Sequence, residues 1–272
     1  MSEKIIEKVG ITLQVPCIEY ERTINLMIEK KIRFAIFVIQ GLLKEDPEIG
    51  EEKAVYPTDI DYEGLGKIKN LESHDTIVNI YLSSTLENTK NAVLREIKDL
   101  RKVDESIKII MVGHSMGADN IVELTKENRD IIFNFIILLD IKDATSCGIL
   151  SIDDDNINEN VENVINYYQE GEKMGIGGEK IEIINPQKTK GVNILSPGSN
   201  HRSIDNDLKY FIIEDIINFK KGKDAVMIAK NRKLPIFRPS DSDSEDVLNF
   251  KPRWENLSTP ITIEEISNPS NK

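Results

Sequence analysis

The chain has 272 residues, with 47 acidic and 35 basic side chains and a formal net charge of -12 at pH 7. This acidic balance disfavours duplex nucleic acid as the main ligand, because binding to phosphates needs a basic surface. It also disfavours adsorption to an anionic membrane surface. With 39% hydrophobic and 30% charged residues, the composition is typical of a globular protein with a sizeable core.

The first ten residues, MSEKIIEKVG, carry charges where a secretory signal would be apolar. The richest apolar stretches fall short of the roughly 18 uninterrupted apolar residues that a membrane helix needs. The two cysteines, Cys17 and Cys147, form no C-x-x-C pair, so we expect neither a disulfide scaffold nor a thiolate metal site. The sequence therefore predicts a cytoplasmic protein without an integral membrane segment.

Short apolar runs rich in β-branched residues alternate with helical patterns along the chain. This alternation predicts an α/β fold in which a mostly parallel central sheet is flanked by helices. Runs that are apolar throughout are typical of parallel strands buried on both faces. Strands are predicted at residues 11–15, 34–39, 75–82, 107–112, 131–139, 161–168 and 192–195, and helices at 18–31, 86–100 and 207–219.

Two segments depart from this alternation. Residues 43–74 contain two prolines and three glycines without periodicity, and a loop of this length is usually functional, so we expect a lid or substrate wall there. Residues 236–272 are polar and rich in proline, which predicts a poorly ordered tail after a domain over residues 1–235. The acidic run at 240–246 raises a second hypothesis, that the tail binds a protein partner.

A G-x-S-x-G motif occurs at residues 113–117, after an apolar run and before a helical pattern. A serine at a sharp strand-to-helix turn has a strained backbone, and side chains at the two flanking positions would clash with the neighbouring strand and helix. The motif predicts that Ser115 is a nucleophile and that the backbone N–H of Met116, at the helix N-terminus, helps to hold an oxyanion. The alternative is a tight turn with only a structural role.

A serine nucleophile needs a general base, and the chain has only three histidines. His114 lies inside the turn, and we expect its side chain to point away from the reacting face. His74 precedes a strand. His201 follows the strand predicted at 192–195, at the edge of the sheet where α/β proteins hold functional groups, so it is the predicted base.

The acid that orients the base should follow a strand between Ser115 and His201 in the chain. Asp140 ends the apolar run at 135–139 and is the predicted acid. Asp143 in the next loop and Glu170 after the following strand are the alternatives.

The chain order Ser115, Asp140, His201 resembles that of the α/β-hydrolase fold, and more narrowly its lipase/esterase-like members, over roughly residues 34–219. In most of the family the acid follows the second strand after the nucleophile, which would favour Glu170. In pancreatic-type lipases it follows the first strand, in a context similar to that of Asp140.

This resemblance implies that Ser115 accepts the acyl group of a small-molecule or lipid ester and that water then releases it, without a metal or an organic cofactor. It also implies a second oxyanion donor after the early central strand, at Gly41 or Leu42, where Gln40 replaces the histidine of many members. The glycine-rich stretch at 171–178 is interpreted as a turn between strands. Two alternatives share these residues: a binding protein that has lost turnover, and a thioesterase or amidase.

Overall fold

The structure, a computed structural model, describes residues 32–41, 64–82, 86–141, 156–170, 178 and 180–237. The chain divides into one unit over Met1–Pro239 and another over Ser240–Lys272, and all described residues belong to the first. The strand predicted at 11–15, the helix predicted at 18–31 and residues 238–272 of the predicted tail lie outside the described residues. The predicted domain boundary therefore stays a prediction.

Six apolar strands form one parallel sheet, and two short strands form a separate pair. The strands are β1 (Phe34–Gln40), β2 (Thr76–Leu82), β3 (Lys108–His114), β4 (Phe135–Leu139), β5 (Asn156–Ile157), β6 (Asn163–Tyr168), β7 (Glu182–Ile183) and β8 (Lys190–Leu195). The sheet order is β2-β1-β3-β4-β6-β8, and β5 pairs with β7. Every neighbouring pair in the large sheet is parallel, so the carboxyl ends of all six strands lie at one edge.

Helices cover both faces of this sheet. They are the 3-10 helix Gly64–Leu71, α1 (Leu86–Val103), α2 (Met116–Glu127), α3 (Ile204–Lys220) and α4 (Ala225–Asn231). Apolar residues of α1 and α2 share one core cluster, and those of α3, α4 and the 3-10 helix share the other. This arrangement confirms the predicted α/β-hydrolase-like three-layer sandwich. Within the described residues, no helix combines the length and the hydropathy that crossing a bilayer requires.

The apolar runs form strands because successive residues of a strand face opposite sides of the sheet. In β1, Ile36 and Val38 belong to the core cluster under α3, whereas Phe37 and Ile39 belong to the cluster under α1 and α2. Apolar residues at every position therefore serve two cores at once. The predicted strand at 131–139 is shortened to β4, and just before β4 the Asn134 side chain accepts the hydrogen bond of the Ile109 N–H at 2.9 Å.

Two helical elements were not predicted from the sequence. The 3-10 helix lies within the predicted lid at 43–74, but its residues Leu65 and Ile68 are buried in the core. Residues 42–63 of that lid lie outside the described residues. The second element, α4, lies in a stretch rich in basic residues, but one short face of the helix is apolar and buried. The Asp224 side chain caps α4 by accepting a hydrogen bond from the Met227 N–H at 3.1 Å.

A buried polar cluster ties β6, α3 and the end of α4 together. The Tyr167 hydroxyl donates to Asp215 Oδ2 at 2.6 Å, and Arg232 donates to Asp215 Oδ1 at 2.7 Å and to the Tyr167 hydroxyl at 3.0 Å. The side chains of Asp215 and Arg232 are 0% and 10% exposed. Burial raises the pKa of Asp215, and the hydrogen bond and charge of Arg232 oppose that rise.

Replacing Arg232 tests how far the fold depends on this cluster. Arg232→Met should lower the free energy of unfolding by about 3 kcal/mol, because it leaves the Asp215 carboxylate buried without its counter-charge. Urea unfolding at neutral pH measures the change. The matched control is Lys188→Met, which removes an ion pair with Glu159 whose side chains are 59% and 56% exposed and should change little. Equal losses in the two variants would contradict this account.

Candidate active site

Ser115 lies at the turn between β3 and α2 in a strained conformation, with φ 56° and ψ -129°. Few residues with a side chain occupy the left-handed region, so neighbouring contacts must hold the turn. The Ser115 N–H donates to the Leu139 carbonyl at 2.9 Å, and the Ser115 carbonyl accepts from the Ala118 N–H at 2.9 Å. The strand, turn and helix predicted around Ser115 are all present.

Close main-chain contacts explain the two glycines of the motif. A Cβ on Gly117 would lie 2.2 Å from the Ile39 carbonyl oxygen in β1, and a Cβ on Gly113 would lie 2.6 Å from the Gly117 carbonyl oxygen in α2. These are the clashes with strand and helix that the motif predicts. A third glycine, Gly41, follows β1 directly. A Cβ added to Gly41 would lie 2.9 Å from the Ser115 Cβ.

Ser115, His201 and Asp140 form a continuous hydrogen-bonded series. His201 Nε2 lies 2.8 Å from Ser115 Oγ, and His201 Nδ1 lies 2.6 Å from Asp140 Oδ2. A carboxylate only accepts hydrogen bonds, so Nδ1 carries the proton and Nε2 is left to accept the serine hydroxyl. His201 is held in the loop between β8 and α3, and its side chain is 15% exposed, against 0% for Asp140. The three residues predicted from separate parts of the sequence therefore lie together.

Asp140 follows β4 directly and has a positive φ of 46°. Its N–H donates to the Tyr167 carbonyl of β6 at 2.8 Å. Its carboxylate accepts from the Gly178 N–H at 2.7 Å, and from the Gln169 backbone and side chain at 3.3 Å and 3.4 Å. These donors offset the loss of water around a fully buried carboxylate.

The structure distinguishes between two of the three candidate acids. Asp140 contacts His201, whereas Glu170 is exposed to solvent after β6. Asp143 lies outside the described residues. Of these two described carboxylates, the one that contacts His201 therefore follows the first strand after Ser115 in the chain.

Gly178 is a site residue that sequence reasoning missed. A Cβ at this position would lie 2.1 Å from Asp140 Oδ1, so only glycine allows the N–H to reach the carboxylate. The sequence pattern at 171–178 indicates only a turn between strands. A run of glycines does indicate a close approach of the backbone, but nothing in the sequence identifies Asp140 as the group that is approached.

The expectation for His114 was wrong, because its side chain does not point away from the reacting residues. Its Nε2 lies 2.8 Å from the His201 carbonyl oxygen, and the two rings pack with centroids 5.1 Å apart and planes 38° apart. The reason is that β3 continues to His114. Like Ile110 and Val112, His114 then faces the side of the sheet that α3 covers.

The predicted oxyanion donors lie at the ends of two elements beside Ser115. Met116 is the first residue of α2, where backbone N–H groups have no partner within the helix. Gly41 follows β1 directly and lies next to Ser115, and Leu42 lies outside the described residues. The part these groups play stays a prediction.

No group of three or more His, Cys, Asp or Glu side chains is arranged to hold a metal ion in the described part of the chain. A cleft of about 290 Å³ lies at the amino ends of the strands, away from Ser115. It is lined by Arg129, Asn158, Glu159, Asn160, Ile184 and Asn185.

No family model matches the sequence, and no curated protein matches it. Among solved structures, Est1E from Butyrivibrio proteoclasticus is 14% identical and has a TM-score of 0.37, over 71% of this chain and 92% of that chain. One of LipS and LipT, two metagenome-derived lipolytic enzymes, is 10% identical with a TM-score of 0.38, over 71% and 95% of the two chains. An acetyl xylan esterase is 12% identical with a TM-score of 0.35, over 71% and 98%.

Gly178→Ala tests whether the Gly178 contact positions Asp140. The added methyl group should displace the carboxylate and slow the labelling of Ser115 by a fluorophosphonate about tenfold or more. The reason is that a small displacement of a group that orients the base greatly lowers the reaction rate. Gly222→Ala is the matched control, since Gly222 has a φ of +72° but no heavy atom within 4 Å of the added Cβ. It should lose about 1 kcal/mol of stability and label at the wild-type rate. Wild-type labelling of Gly178→Ala would show that the contact is dispensable.

Proposed function

We propose that the chain is a serine hydrolase that cleaves carboxylic esters of small molecules or lipids through an acyl-serine intermediate. The observation that carries this proposal is the hydrogen-bonded series from Ser115 Oγ through His201 to Asp140, with distances of 2.8 Å and 2.6 Å. A serine hydroxyl is a poor nucleophile until a positioned base takes its proton. An imidazole between a serine and a buried carboxylate is such a base.

In the first half of the reaction, Ser115 Oγ attacks the ester carbonyl while His201 Nε2 takes the hydroxyl proton. The resulting imidazolium lies 2.6 Å from a carboxylate oxygen that is shielded from water, so its charge is stabilised where it forms. Hydrogen bonds from Gly178 and Gln169 hold the Asp140 carboxylate in place for this role. The imidazolium then gives its proton to the leaving alcohol.

The tetrahedral intermediate carries a negative oxygen that needs hydrogen-bond donors. The Met116 N–H at the start of α2 supplies one, and the partial positive charge of the helix N-terminus favours the anion there. The second donor comes from the end of β1, where Gly41 approaches Ser115 closely enough to exclude any side chain. One such donor contributes about 3 kcal/mol to the transition state. Water activated by the same histidine then hydrolyses the acyl-serine.

Labelling with a fluorophosphonate probe tests the nucleophile. The wild-type chain should react at Ser115 alone, as mapped by mass spectrometry of the modified peptide, and Ser115→Ala should not react. A panel of matched p-nitrophenyl esters, thioesters and anilides then measures which acyl bond is cleaved, since the same three residues would act on each. A folded wild-type chain that neither labels nor turns over any of these would overturn the proposal in favour of a binding protein.

A pair of variants compares Asp140 with Glu170, the other candidate acid among the described residues. Asp140→Asn should lower kcat for the best ester by about 10³–10⁴-fold, because the amide can favour the wrong tautomer of His201. Glu170→Gln removes the same charge from an exposed position and should leave kcat unchanged. Steady-state kinetics measures both variants. A larger loss in Glu170→Gln than in Asp140→Asn would contradict the assignment of the acid.

A further inference from the structure

We propose that His114 is a positioning residue, whose Nε2–H donates to the main-chain carbonyl of His201 and thereby sets the base at the correct distance from Ser115. This inference rests on the proposed function, in which His201 is the general base. It assigns a role to the variable position of the G-x-S-x-G motif, next to the nucleophile in the chain.

The hydrogen bond determines the tautomer of His114. Its Nε2 lies 2.8 Å from the His201 carbonyl oxygen, and a carbonyl oxygen only accepts, so Nε2 carries the proton. In the neutral ring, Nδ1 is then unprotonated. This atom lies on the side of Gly41, 3.6 Å from the point that a Cβ on that glycine would occupy. A single tautomer is therefore specified by the geometry.

His201 needs an anchor of this kind because it lies in a turn after β8, and the strands β4 and β6 separate β8 from β3 in the sheet. The turn itself is held by Asn200, whose side-chain oxygen accepts from the N–H groups of Arg202 and Ser203 at 2.9 Å. Those bonds shape the turn but do not connect it to β3. The bond from His114 makes that connection, and the packing of the two rings at 5.1 Å adds a second contact between the same residues.

Burial favours the neutral form of His114. The charged and titratable groups that face it are Asp205, His201 and Asp140. Burial lowers the pKa of His114 and outweighs the opposing charges of Asp205 and Asp140. The ring is thus uncharged at neutral pH, and it adds no positive charge beside the imidazolium that His201 becomes during the reaction. Protonation would occur only as the pH falls through the lowered pKa.

Two substitutions separate the hydrogen bond from the ring contact. His114→Phe keeps an aromatic ring and removes the donor, whereas His114→Gln keeps a side-chain N–H donor and removes the ring. We expect His114→Phe to reduce the rate of fluorophosphonate labelling of Ser115 and kcat for the best ester by about 10–100-fold, with KM unchanged. His114→Gln should recover most of both rates. Wild-type rates in His114→Phe, or a loss in His114→Gln as large as in His114→Phe, would overturn the inference.

Nuclear magnetic resonance of the wild-type chain gives a second readout that does not depend on turnover. Two-bond ¹H–¹⁵N couplings should identify His114 as protonated at Nε2 and unprotonated at Nδ1 at neutral pH. The low-field resonance of the proton between His201 and Asp140 should be retained in His114→Gln and broadened in His114→Phe. A His114 ring protonated at Nδ1 alone would overturn the inference.

These two readouts also separate this inference from the proposed function. If the folded wild-type chain is neither labelled nor turns over any of the substrates, the proposed function fails, and the coupling pattern still decides whether His114 holds the His201 carbonyl. If the wild-type chain is labelled but His114→Phe reacts equally fast, the proposed function stands and the positioning role is refuted.

Discussion

The strained turn at Ser115 is the constraint on which the rest of the site depends. A residue with a side chain can hold a φ of 56° only where its neighbours leave no other arrangement. Here the carbonyl of Ile39 in β1 excludes a side chain at position 117, and the Leu139 carbonyl of β4 accepts the Ser115 N–H. Both neighbouring strands therefore hold the serine, and its hydroxyl is directed to the sheet edge where His201 lies.

The parallel sheet turns this local constraint into a site. Ser115 follows β3, Asp140 follows β4 and His201 follows β8, and strands that run in one direction bring all three to a single edge. β6 separates the last two strands, and it contributes the Tyr167 carbonyl that accepts the Asp140 N–H. The side chain of the same Tyr167 joins the buried cluster with Arg232. The strand beside Asp140 is therefore held both through its main chain and through a buried side chain.

The sequence was sufficient for the parts that local pattern determines. Runs that are apolar throughout predict buried parallel strands, the glycines at 113 and 117 predict the tight turn, and a chain with three histidines leaves few choices for the base. The missed features depend on contacts between distant segments. Gly178 approaches Asp140 across 38 residues, and the face that His114 presents depends on where β3 ends. The choice between Asp140 and Glu170 likewise depends on the turn after β4, which brings the Asp140 carboxylate to His201.

In the proposed reaction, Ser115 attacks a carbonyl whose oxygen is held by the first N–H of α2. A crystal structure of the chain after reaction with a small alkyl fluorophosphonate tests it most directly, because the adduct resembles the tetrahedral intermediate. We expect phosphorus bonded to Ser115 Oγ, with the phosphoryl oxygen within hydrogen-bond distance of the Met116 N–H and of a donor at Gly41 or Leu42. An adduct on another residue, or a phosphoryl oxygen directed away from the start of α2, would contradict it.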